Sequence, residues 1–409
     1  MDEQKIVSEL VEKNETKIIL IVLDGLGGLP VKDEKSELEF SKTPNLDELA
    51  RESATGLHIP VFPGISPGSG PGHLSIFGYD PIKWEIGRGL LEALGIGLNI
   101  TDRDIAIRTN YATVKEENGR IVVVDRRAGR IPTEENRRLT KKITERIKEI
   151  DGVQIIMEPA MEYRSALILR FKDKVNEKMA MIKETDPQVT HEEVIPPEPL
   201  TTDAKRVSEI LKKFLREVKE ILKGEKANYL LLRGYSTVPN IPKFPEVYKL
   251  KAGCIATYPM YKGLSKLVGM EIIPVSGFSI EEEFKVLKEV YKDFDFIYFH
   301  IKKTDSYGED GNFEKKIHII EEFDNILPEI LSLGFDVVAI TGDHSTPSKM
   351  KSHSFHPVPL LIHSPYVFGR LSNRFTEREC LKGELGIIKG VNLMPLLLAH
   401  ARRLKKYGA

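Results

Sequence analysis

The chain has 409 residues, and at roughly 100 to 200 residues per domain this length predicts two domains, or one large core with an insertion. Its 60 basic side chains are balanced by 61 acidic ones, and the net charge of −1 argues against nucleic-acid and membrane-surface partners, which need clustered positive charge. Hydrophobic residues make up 41% of the chain, enough for extensive cores, and the 2 cysteines exclude a disulfide framework and a cysteine metal cage.

The amino-terminal segment up to Lys17 is acidic and amphipathic, and it lacks the apolar stretch and cleavage site of a secretory signal. The longest apolar runs, such as IILIVL at 18–23, are far shorter than the roughly 18 residues that span a bilayer. We therefore expect a cytoplasmic protein. Charged residues reach 30%, whereas glutamine occurs only at Gln4, Gln154 and Gln188, a bias typical of heat-adapted proteins.

Short apolar runs rich in β-branched residues predict four core strands, at 17–23, 295–300, 335–341 and 358–362. Helical stretches separate these runs, which indicates an α/β fold with a mostly parallel sheet flanked by helices. Three of the runs lead directly into polar residues: Asp24, the segment 302–305, and Asp343 with His344. Because ligands of such sheets bind beyond the carboxyl ends of the strands, these polar tails are expected to meet in one crevice.

Two helices are predicted from their end signals. Thr43 as the N-cap and Pro44 at the first helical position predict a helix over TPNLDELARES. Apolar residues at helical spacing predict a second helix over 313–333, and Gly334 is expected to end it.

The stretch 96–245 differs in character from its flanks. It contains a charged helical segment at 203–222, hairpin-like alternation around 120–125 and a proline-rich turn at 195–200. Because it lies between the first predicted strand and the later ones, we interpret it as an insertion. The predicted boundaries are 1–95 and 246–409 for a discontinuous catalytic domain, and 96–245 for an inserted α+β cap domain that binds substrate.

The segment PGISPGSGPGHLSIFGYDP at 63–81 places Ser69 within a run of glycines and prolines, and a helix is expected to resume at His73. A hydroxyl at a helix N-terminus meets the positive end of the helix dipole and free N–H groups, which favour an alkoxide and bind phosphate. The alternative is a loop with a capping serine. Similarly, Asp24 before GLGG is either a ligand at a strand end or a turn former.

Carboxylates and imidazoles recur in three later segments. They are Asp305 and Glu309 in KKTDSYGEDGNFEKK, Asp343 and His344 in TGDHS, and His353 and His356 in KSHSFHPVPLLI. Adjacent side chains at a strand end point to opposite sides, so Asp343 and His344 can serve two metal ions. Such ligands suit Mn, Zn or Mg, and two ions stabilise the oxygens of phosphoryl transfer. The alternative is a solvated surface pair at 305 and 309 and a loop histidine at 353.

Taken together, these segments resemble the archaeal-type, cofactor-independent phosphoglycerate mutases of the alkaline phosphatase superfamily. The resemblance is carried, in order along nearly the whole chain, by LDGLGGLP, TPNLDELA, PGSGPGHLSIFGYDP, DRRAGRI, NYLLLRG, YPMYKGLSKLVGM, HIKKTDSYGEDGNFEKK, TGDHSTPSKMKSHSFHPVPLL, NLMPLLLA and RLKKYGA. It implies an alkaline-phosphatase-like fold and an isomerase that interconverts 3-phosphoglycerate and 2-phosphoglycerate in glycolysis and gluconeogenesis.

The resemblance also implies roles for individual residues. Ser69 would be the nucleophile that becomes phosphoserine. The implied metal ligands are Asp24, Ser69, Asp343 and His344 for one ion, and Asp305, Glu309 and His353 for the other. Glu309 departs from the superfamily pattern, which has histidine there, and a carboxylate favours Mn or Mg over Zn. We therefore expect two divalent ions, Mn or Mg with Zn or Co as alternatives, and no requirement for 2,3-bisphosphoglycerate.

A phosphoglycerate carries a phosphate and a carboxylate, so its site needs positive groups. Guanidinium groups bind both anions through paired hydrogen bonds. The candidates are Arg126, Arg127 and Arg130 in DRRAGR, Arg164 in EYRSALILRF and Lys262 in YPMYKG, with Lys251 as a rival to Lys262. The alternative for the three arginines of DRRAGR is a solvated turn.

Two other functions remain open at this stage. A metal-dependent phosphomonoesterase or a phosphopentomutase of the same superfamily would share every metal ligand. The second alternative is a catalytically inactive binding protein, but such a protein would not need Ser69 and a full set of seven ligand candidates. The sequence leaves open whether the protein is a monomer or a homo-oligomer.

Overall fold

The secondary structure follows the alternation of apolar runs and helical segments along the chain. In residues 3–408, which the computed structural model describes, the strands are β1 (Ile18–Leu23), β2 (Ala54–Ile59), β3 (Asp104–Glu117), β4 (Arg120–Asp125), β5 (Glu149–Ile150), β6 (Val153–Pro159), β7 (Arg164–Arg170), β8 (Tyr229–Thr237), β9 (Ala252–Ala256), β10 (Glu271–Ile273), β11 (Phe296–Ile301), β12 (Val337–Thr341), β13 (Val358–His363) and β14 (Gly386–Lys389).

The α-helices are α1 (Glu3–Leu10), α2 (Glu37–Phe40), α3 (Pro44–Arg51), α4 (Ser69–Ile76), α5 (Arg88–Gly95), α6 (Thr133–Thr144), α7 (Lys205–Ile221), α8 (Phe244–Tyr248), α9 (Pro259–Leu267), α10 (Ile280–Val290), α11 (Lys303–Glu309), α12 (Phe313–Ser332), α13 (Glu377–Cys380) and α14 (Leu393–His400). Short 3₁₀ turns cover Glu177–Ala180, Tyr291–Asp293 and Gly390–Asn392. Within the described residues, none of the helices has both the length and the apolar composition that a membrane span requires.

The chain divides into two units. The first comprises the residues up to Glu85 and from Ile241 onward, and the second is Ile86–Asn240. The division falls earlier at both ends than the boundaries predicted at 96 and 245. The sequence prediction separated α5 from the second unit, whereas α5 packs directly on β3 and β8: a Cβ on Gly89 would lie 2.5 Å from the carbonyl oxygens of Ala106 and Gly234.

The first unit is built on an eight-stranded sheet in the order β10-β9-β11-β1-β12-β13-β2-β14. All neighbouring strands are parallel except β12 with β13 and β13 with β2, which are antiparallel. The central strand β1 has the sequence IILIVL and is buried throughout, because helices cover both faces of the sheet. The mixed α/β fold and the four predicted core strands are confirmed, and 358–362 belongs to the antiparallel part.

The parallel strands bring three chain segments to one edge of the sheet. β1 lies between β11 and β12, with Leu23 opposite Ile301 and Val22 opposite Thr341. The residues that follow these three strands therefore leave the sheet side by side.

The predicted helices form with small differences at their ends. α3 begins at Pro44, although the Thr43 side chain makes no capping hydrogen bond, and α12 ends just before Gly334, whose φ is +79°. α4 begins at Ser69 itself, earlier than the expected start at His73. Ser69 is thus the first residue of a helix and not the last residue of a strand.

The second unit contains an antiparallel sheet in the order β4-β3-β7-β6-β5, with β8 also paired to β3. Its core contains alternate residues of β3 and β7, such as Ile107 and Leu167, together with the apolar side of α7, including Leu211 and Phe214. Period-2 alternation in the strands and helical spacing in α7 explain this packing. The unit is an α+β arrangement.

The buried carboxyl group of Glu283 in α10 gives a pH-dependent prediction for stability. Glu283 is 3% exposed, and burial raises its pKa from 4.5 to about 8 although it accepts hydrogen bonds from Thr257. The unfolded chain loses this proton near pH 4.5, whereas the folded chain loses it only near pH 8. Protonated Glu283 therefore contributes its full share to the free energy of unfolding below pH 4.5, and this share is lost as the pH rises to 8. The loss amounts to about 4 kcal/mol.

We therefore expect Glu283→Gln to make urea unfolding less dependent on pH between 5 and 8, and to be more stable than the parent at pH 8. Glu281→Gln, an exposed substitution in the same helical turn, is the control and should leave the pH dependence unchanged. Parallel pH profiles of the parent and Glu283→Gln would contradict the assignment.

Candidate active site

The carboxyl ends of β1 and β12 bring together three fully buried residues, Asp24, Asp343 and His344. His344 Nε2 lies 3.4 Å from Asp24 Oδ1, 3.1 Å from Asp343 Oδ2 and 3.4 Å from Ser69 Oγ. Asp24 Oδ1 and Asp343 Oδ2 are buried and accept no well-aligned hydrogen bond, although His73 Nδ1 also lies 3.1 Å from Asp343 Oδ2. These two carboxylate oxygens and an imidazole nitrogen therefore face one point beside the Ser69 hydroxyl.

Helix α4 holds Ser69 at this point. Gly68 is its N-cap residue, and His73 Nδ1 lies 2.9 Å from the Ser69 carbonyl oxygen one turn along the helix. A Cβ on Gly72 would lie 2.5 Å from the carbonyl oxygen of Asp343, so only glycine permits the helix to pack this closely on the segment after β12. The glycines of the segment thus bring the Ser69 hydroxyl to the buried acids.

Neighbouring charges shift the pKa values of these groups in opposite directions. Burial and Asp343 act to raise the pKa of Asp24, but Lys302 and His300 outweigh them and lower it to about 2. Burial acts to lower the pKa of His344, but Asp343 outweighs it and raises this pKa to about 9. The two carboxylates thus stabilise positive charge at the point that they face.

A second group lies at α11, which follows β11. Asp305 and Glu309 are one helical turn apart, and His353 Nε2 lies 3.6 Å from Asp305 Oδ1 and 3.6 Å from Glu309 Oε1. His353 Nδ1 is 2.9 Å from the carbonyl oxygen of Pro67, so Nε2 is the nitrogen that faces the acids. Asp305 is 1% exposed, whereas the side chain of Glu309 is 55% exposed.

The two groups adjoin each other. The rings of His344 and His353 stack with centroids 3.6 Å apart. Among the described residues, Asp305, His344 and His353 form one cluster and Asp24, Asp343 and His344 another, each with ligand atoms within 4.8 Å of one another. The structure therefore brings together all seven residues that the sequence analysis named as metal ligands.

Sequence reasoning missed a lysine between the two groups. Lys302 Nζ lies 3.1 Å from Asp24 Oδ2, 2.5 Å from Asp305 Oδ2 and 3.1 Å from the Tyr261 hydroxyl. Burial acts to lower the pKa of Lys302, but Asp24 and Asp305 outweigh it and raise this pKa, so the lysine is charged. Its position directly after β11 is the signal that could have identified it, because the other site residues also follow strands of this sheet.

Comparison with known proteins identifies the family of this chain. Residues 50–228 match the family model described as 2,3-bisphosphoglycerate-independent phosphoglycerate mutase. An Aquifex aeolicus protein named as a probable enzyme of that kind is 61% identical over 405 residues, which are 99% of this chain and 100% of the relative. The chain belongs to the 2,3-bisphosphoglycerate-independent phosphoglycerate mutase family. A Thermotoga neapolitana relative with the same name is 51% identical and aligns over the full length of both chains.

Solved structures show that the family shares this fold. The cofactor-independent phosphoglycerate mutase from Thermoplasma acidophilum is 31% identical, with a TM-score of 0.73 over 94% of this chain and 100% of that chain. A Pyrococcus horikoshii protein is 33% identical, with a TM-score of 0.81 over 97% of this chain and 100% of that chain. The thermophilic sources among these relatives fit the heat-adapted composition.

The arginines of the DRRAGR turn in this mutase-family chain differ in how they are held. Arg126 donates from Nε and Nη2 to the two carboxylate oxygens of Asp186, both at 2.8 Å. Arg130 Nε lies 3.6 Å from Glu162 Oε2, an ion pair at the surface. Arg127 is exposed and lies 5.9 Å from the ring centroid of Tyr163. Of the three, Arg127 is thus the arginine for which the described residues show no ion pair with a carboxylate.

Sequence reasoning named Arg164 in the second unit but missed Arg108 on the neighbouring strand. Arg108 on β3 and Arg164 on β7 lie on one face of the sheet, since Arg164 pairs with Asn110, and both have a buried Nε with no hydrogen-bond partner. Burial lowers the pKa of Arg108, and the neighbouring Arg164 and Arg88 lower it further. Arg108 has one nearby carboxylate, Glu92, at 3.7 Å. Cross-strand pairing creates this positive cluster, and single arginines in a strand sequence do not reveal it.

The remaining candidates separate by position. Lys262 lies in α9, which follows the carboxyl end of β9, whereas Lys251 lies at the amino end of that strand with Nζ 4.8 Å from the Phe294 ring centroid. Because ligands of α/β sheets bind beyond the carboxyl ends of the strands, position favours Lys262 over Lys251 as the substrate-binding lysine. His356 stacks on Phe355 at a centroid distance of 4.4 Å and belongs to neither acidic group.

Proposed function

We propose that this protein interconverts 3-phosphoglycerate and 2-phosphoglycerate without 2,3-bisphosphoglycerate, through a phosphoserine at Ser69. The observation that carries the proposal is the convergence of Ser69 Oγ, His344 Nε2 and two carboxylate oxygens in one buried group. Its relatives over the full chain length are named for the same reaction.

The donor sets fit divalent cations. Buried carboxylate oxygens without a well-aligned hydrogen bond, such as Asp24 Oδ1 and Asp343 Oδ2, are stabilised by a bound positive group. Carboxylates with imidazole are ligands that Mn and Mg accept. We assign Asp24, Ser69, Asp343 and His344 to one cation, and Asp305, Glu309 and His353 to the other. Two bound cations would supply positive charge for the oxygens of a transferring phosphoryl group.

Ser69 is the proposed nucleophile. Its hydroxyl is at the N-terminus of α4, where the helix dipole and free N–H groups favour an alkoxide. Ser69 Oγ forms a bond to the phosphorus of 3-phosphoglycerate while the bond from phosphorus to the 3-oxygen breaks. The 2-hydroxyl of the glycerate then takes the phosphoryl group back and frees Ser69.

The arginines of the second unit are the proposed groups for the substrate's anions. The sequence assigned this role to Arg126, Arg127, Arg130 and Arg164, with Lys262 from the first unit. The ion pairs of Arg126 and Arg130 leave these two fewer free donors than Arg127 and Arg164. A mutase differs from a phosphatase because it keeps the glycerate bound and keeps water away from the phosphoserine. Arginines that retain glycerate therefore favour transfer of the phosphoryl group back to glycerate over its release as free phosphate.

The deciding experiment follows both products. The Mn²⁺-loaded protein is incubated with 3-phosphoglycerate, and 2-phosphoglycerate and free phosphate are measured over time. Accumulation of 2-phosphoglycerate with little free phosphate is the expected result. Free phosphate as the main product would instead assign the site to a phosphomonoesterase, and turnover of pentose phosphates alone would assign it to a phosphopentomutase.

Arg127→Ala is expected to lower kcat/KM for 3-phosphoglycerate roughly tenfold to hundredfold, the range that loss of a hydrogen bond to a charged group produces. It should also raise the fraction of substrate released as free phosphate, because the glycerate is held less firmly. Arg120→Ala is the control: Arg120 is exposed on β4, 3.7 Å from Glu193, and its loss should change neither quantity. Unchanged kinetics in Arg127→Ala would remove this residue from the substrate site.

The Glu309 variants test the second acidic group. Glu309→Ala should weaken Mn²⁺ binding at this group only, and Glu309→His should shift the activating metal toward Zn²⁺, which prefers imidazole to carboxylate. Metal content and metal-dependent turnover of both variants are compared with the parent. Asp310→Ala, a change at the adjacent acidic residue, is the control. Two bound ions of parental affinity in Glu309→Ala would show that Glu309 is not a ligand.

A further inference from the structure

Thr346 lies between the two acidic groups and contacts both. It is fully buried two residues after His344, and its Oγ1 is 2.6 Å from Asp305 Oδ1 and 2.9 Å from His344 Nδ1. A hydroxyl has a single hydrogen, and an ionised carboxylate can only accept. Thr346 therefore donates to Asp305 and accepts from His344 Nδ1–H.

This arrangement determines which nitrogen of His344 is available. In the neutral ring with its hydrogen on Nδ1, the form that binds a cation, the lone pair is on Nε2, the atom that faces Asp24 Oδ1 and Asp343 Oδ2. Partners of this kind fix the ring orientation and tautomer of a ligating histidine. The same hydroxyl sets the direction of Asp305 Oδ1, which belongs to the other group.

The backbone of Thr346 is held by several buried hydrogen bonds and is closely packed against glycines. The Thr346 N–H donates to the carbonyl oxygens of Gly25 and Gly27 at 3.2 and 3.1 Å. The buried Lys316 donates from Nζ to the Thr346 carbonyl oxygen at 2.8 Å and to the same two glycine carbonyls. A Cβ on Gly25 would lie 2.6 Å from Thr346 Oγ1, and one on Gly308 would lie 2.3 Å from the Thr346 carbonyl oxygen.

We propose that Thr346 is a positioning residue for both cation sites: its one hydroxyl orients a ligand of each group, so its loss weakens two sites at once. The proposal rests on the cation assignment made above for the mutase reaction. It differs from the role of a direct ligand such as Glu309, whose removal affects one group.

The test measures Mn²⁺ binding, not turnover. Protein stripped with a chelator is titrated with Mn²⁺ by calorimetry, for the parent, Thr346→Val and Thr346→Ser. Thr346→Val keeps the shape of the side chain and removes the hydroxyl. The Mn²⁺ affinities of both sites should then fall roughly tenfold to hundredfold, and two ions should still bind at saturation. Thr346→Ser keeps the hydroxyl, and its Mn²⁺ affinity at each site should stay within about threefold of that of the parent.

A matched control separates positioning from general stability. Thr55 is a buried threonine on β2 whose hydroxyl lies 2.5 Å from Ser372 Oγ, and neither residue belongs to the two acidic groups. Thr55→Val should lower the melting temperature and leave both Mn²⁺ affinities unchanged. If Thr346→Val does not fold, the pair Thr346→Ser and Thr346→Ala gives the same comparison of hydroxyl present against hydroxyl absent.

The outcomes distinguish this proposal from the proposed function. Parental affinity at either site in the hydroxyl-free variant overturns the proposal for Thr346, whatever the parent's turnover. A parent that binds two Mn²⁺ ions but does not convert 3-phosphoglycerate to 2-phosphoglycerate overturns the mutase assignment and leaves the binding comparison valid. A parent that binds no Mn²⁺ overturns both.

Discussion

Replacing Ser69 by alanine is expected to reduce mutase turnover by at least roughly 10⁴-fold, the scale on which loss of a nucleophile acts. Without Oγ, the phosphoryl group has no acceptor beside the acids of the first group. The fold should be unaffected, because the Ser69 hydroxyl contacts His344 Nε2 in the site, at 3.4 Å. The measurement is the rate of 2-phosphoglycerate formation together with the melting temperature.

Ser66→Ala is the control for this experiment. Ser66 is exposed in the same glycine- and proline-rich segment, three residues before Ser69, and its loss should leave the rate unchanged. A second readout is direct: brief incubation with labelled 3-phosphoglycerate should label the parent protein and not Ser69→Ala. Labelling or near-parental turnover in Ser69→Ala would show that another residue accepts the phosphoryl group.

Removal of divalent cations is expected to reduce turnover to background, with recovery on addition of Mn²⁺ and none on addition of 2,3-bisphosphoglycerate. The physical reason is the charge of the site: burial and repulsion from Asp343 oppose the ionised state of Asp24, and a phosphate brings further negative charge to the same place. The stripped protein is assayed after its metal content has been measured.

Asp343→Asn provides an independent version of this test. The amide keeps the size of the side chain but loses the charge, so cation binding at the first group should weaken and turnover should fall with it. The control is Asp336→Asn, a substitution at the amino end of β12, which should change neither. Full activity in a demonstrably metal-free preparation would refute the cation requirement.

The parts of the fold that sequence reasoning predicted are those with a local signal. Six consecutive apolar residues in β1, and Pro44 after Thr43, each determine an element within a few positions. Asp24 and Asp343 were expected to be neighbours, although far apart in sequence, because strand ends in a parallel sheet meet. The full set of seven proposed ligands came from the family resemblance.

The parts that it missed depend on tertiary contacts. The role of Lys302 follows from its contact with Asp24, which lies 278 positions earlier after β1, as well as with the nearby Asp305 in α11. The role of Thr346 follows from a single hydroxyl that reaches two groups. Arg126 looked available in the sequence, but Asp186, 60 positions later, binds it. Neither periodicity nor composition encodes which charged partner a side chain finds after folding.

The discontinuous first unit has a consequence for the order in which the chain folds. Both neighbours of β1, namely β11 and β12, are synthesised only after the whole of Ile86–Asn240, which is contiguous and has its own core. We expect the second unit to complete its sheet during translation while β1 still has no partner. Until then, the uncharged run IILIVL is an unpaired strand of the kind that aggregates, so chaperone binding to the nascent chain is expected to concentrate near its amino terminus.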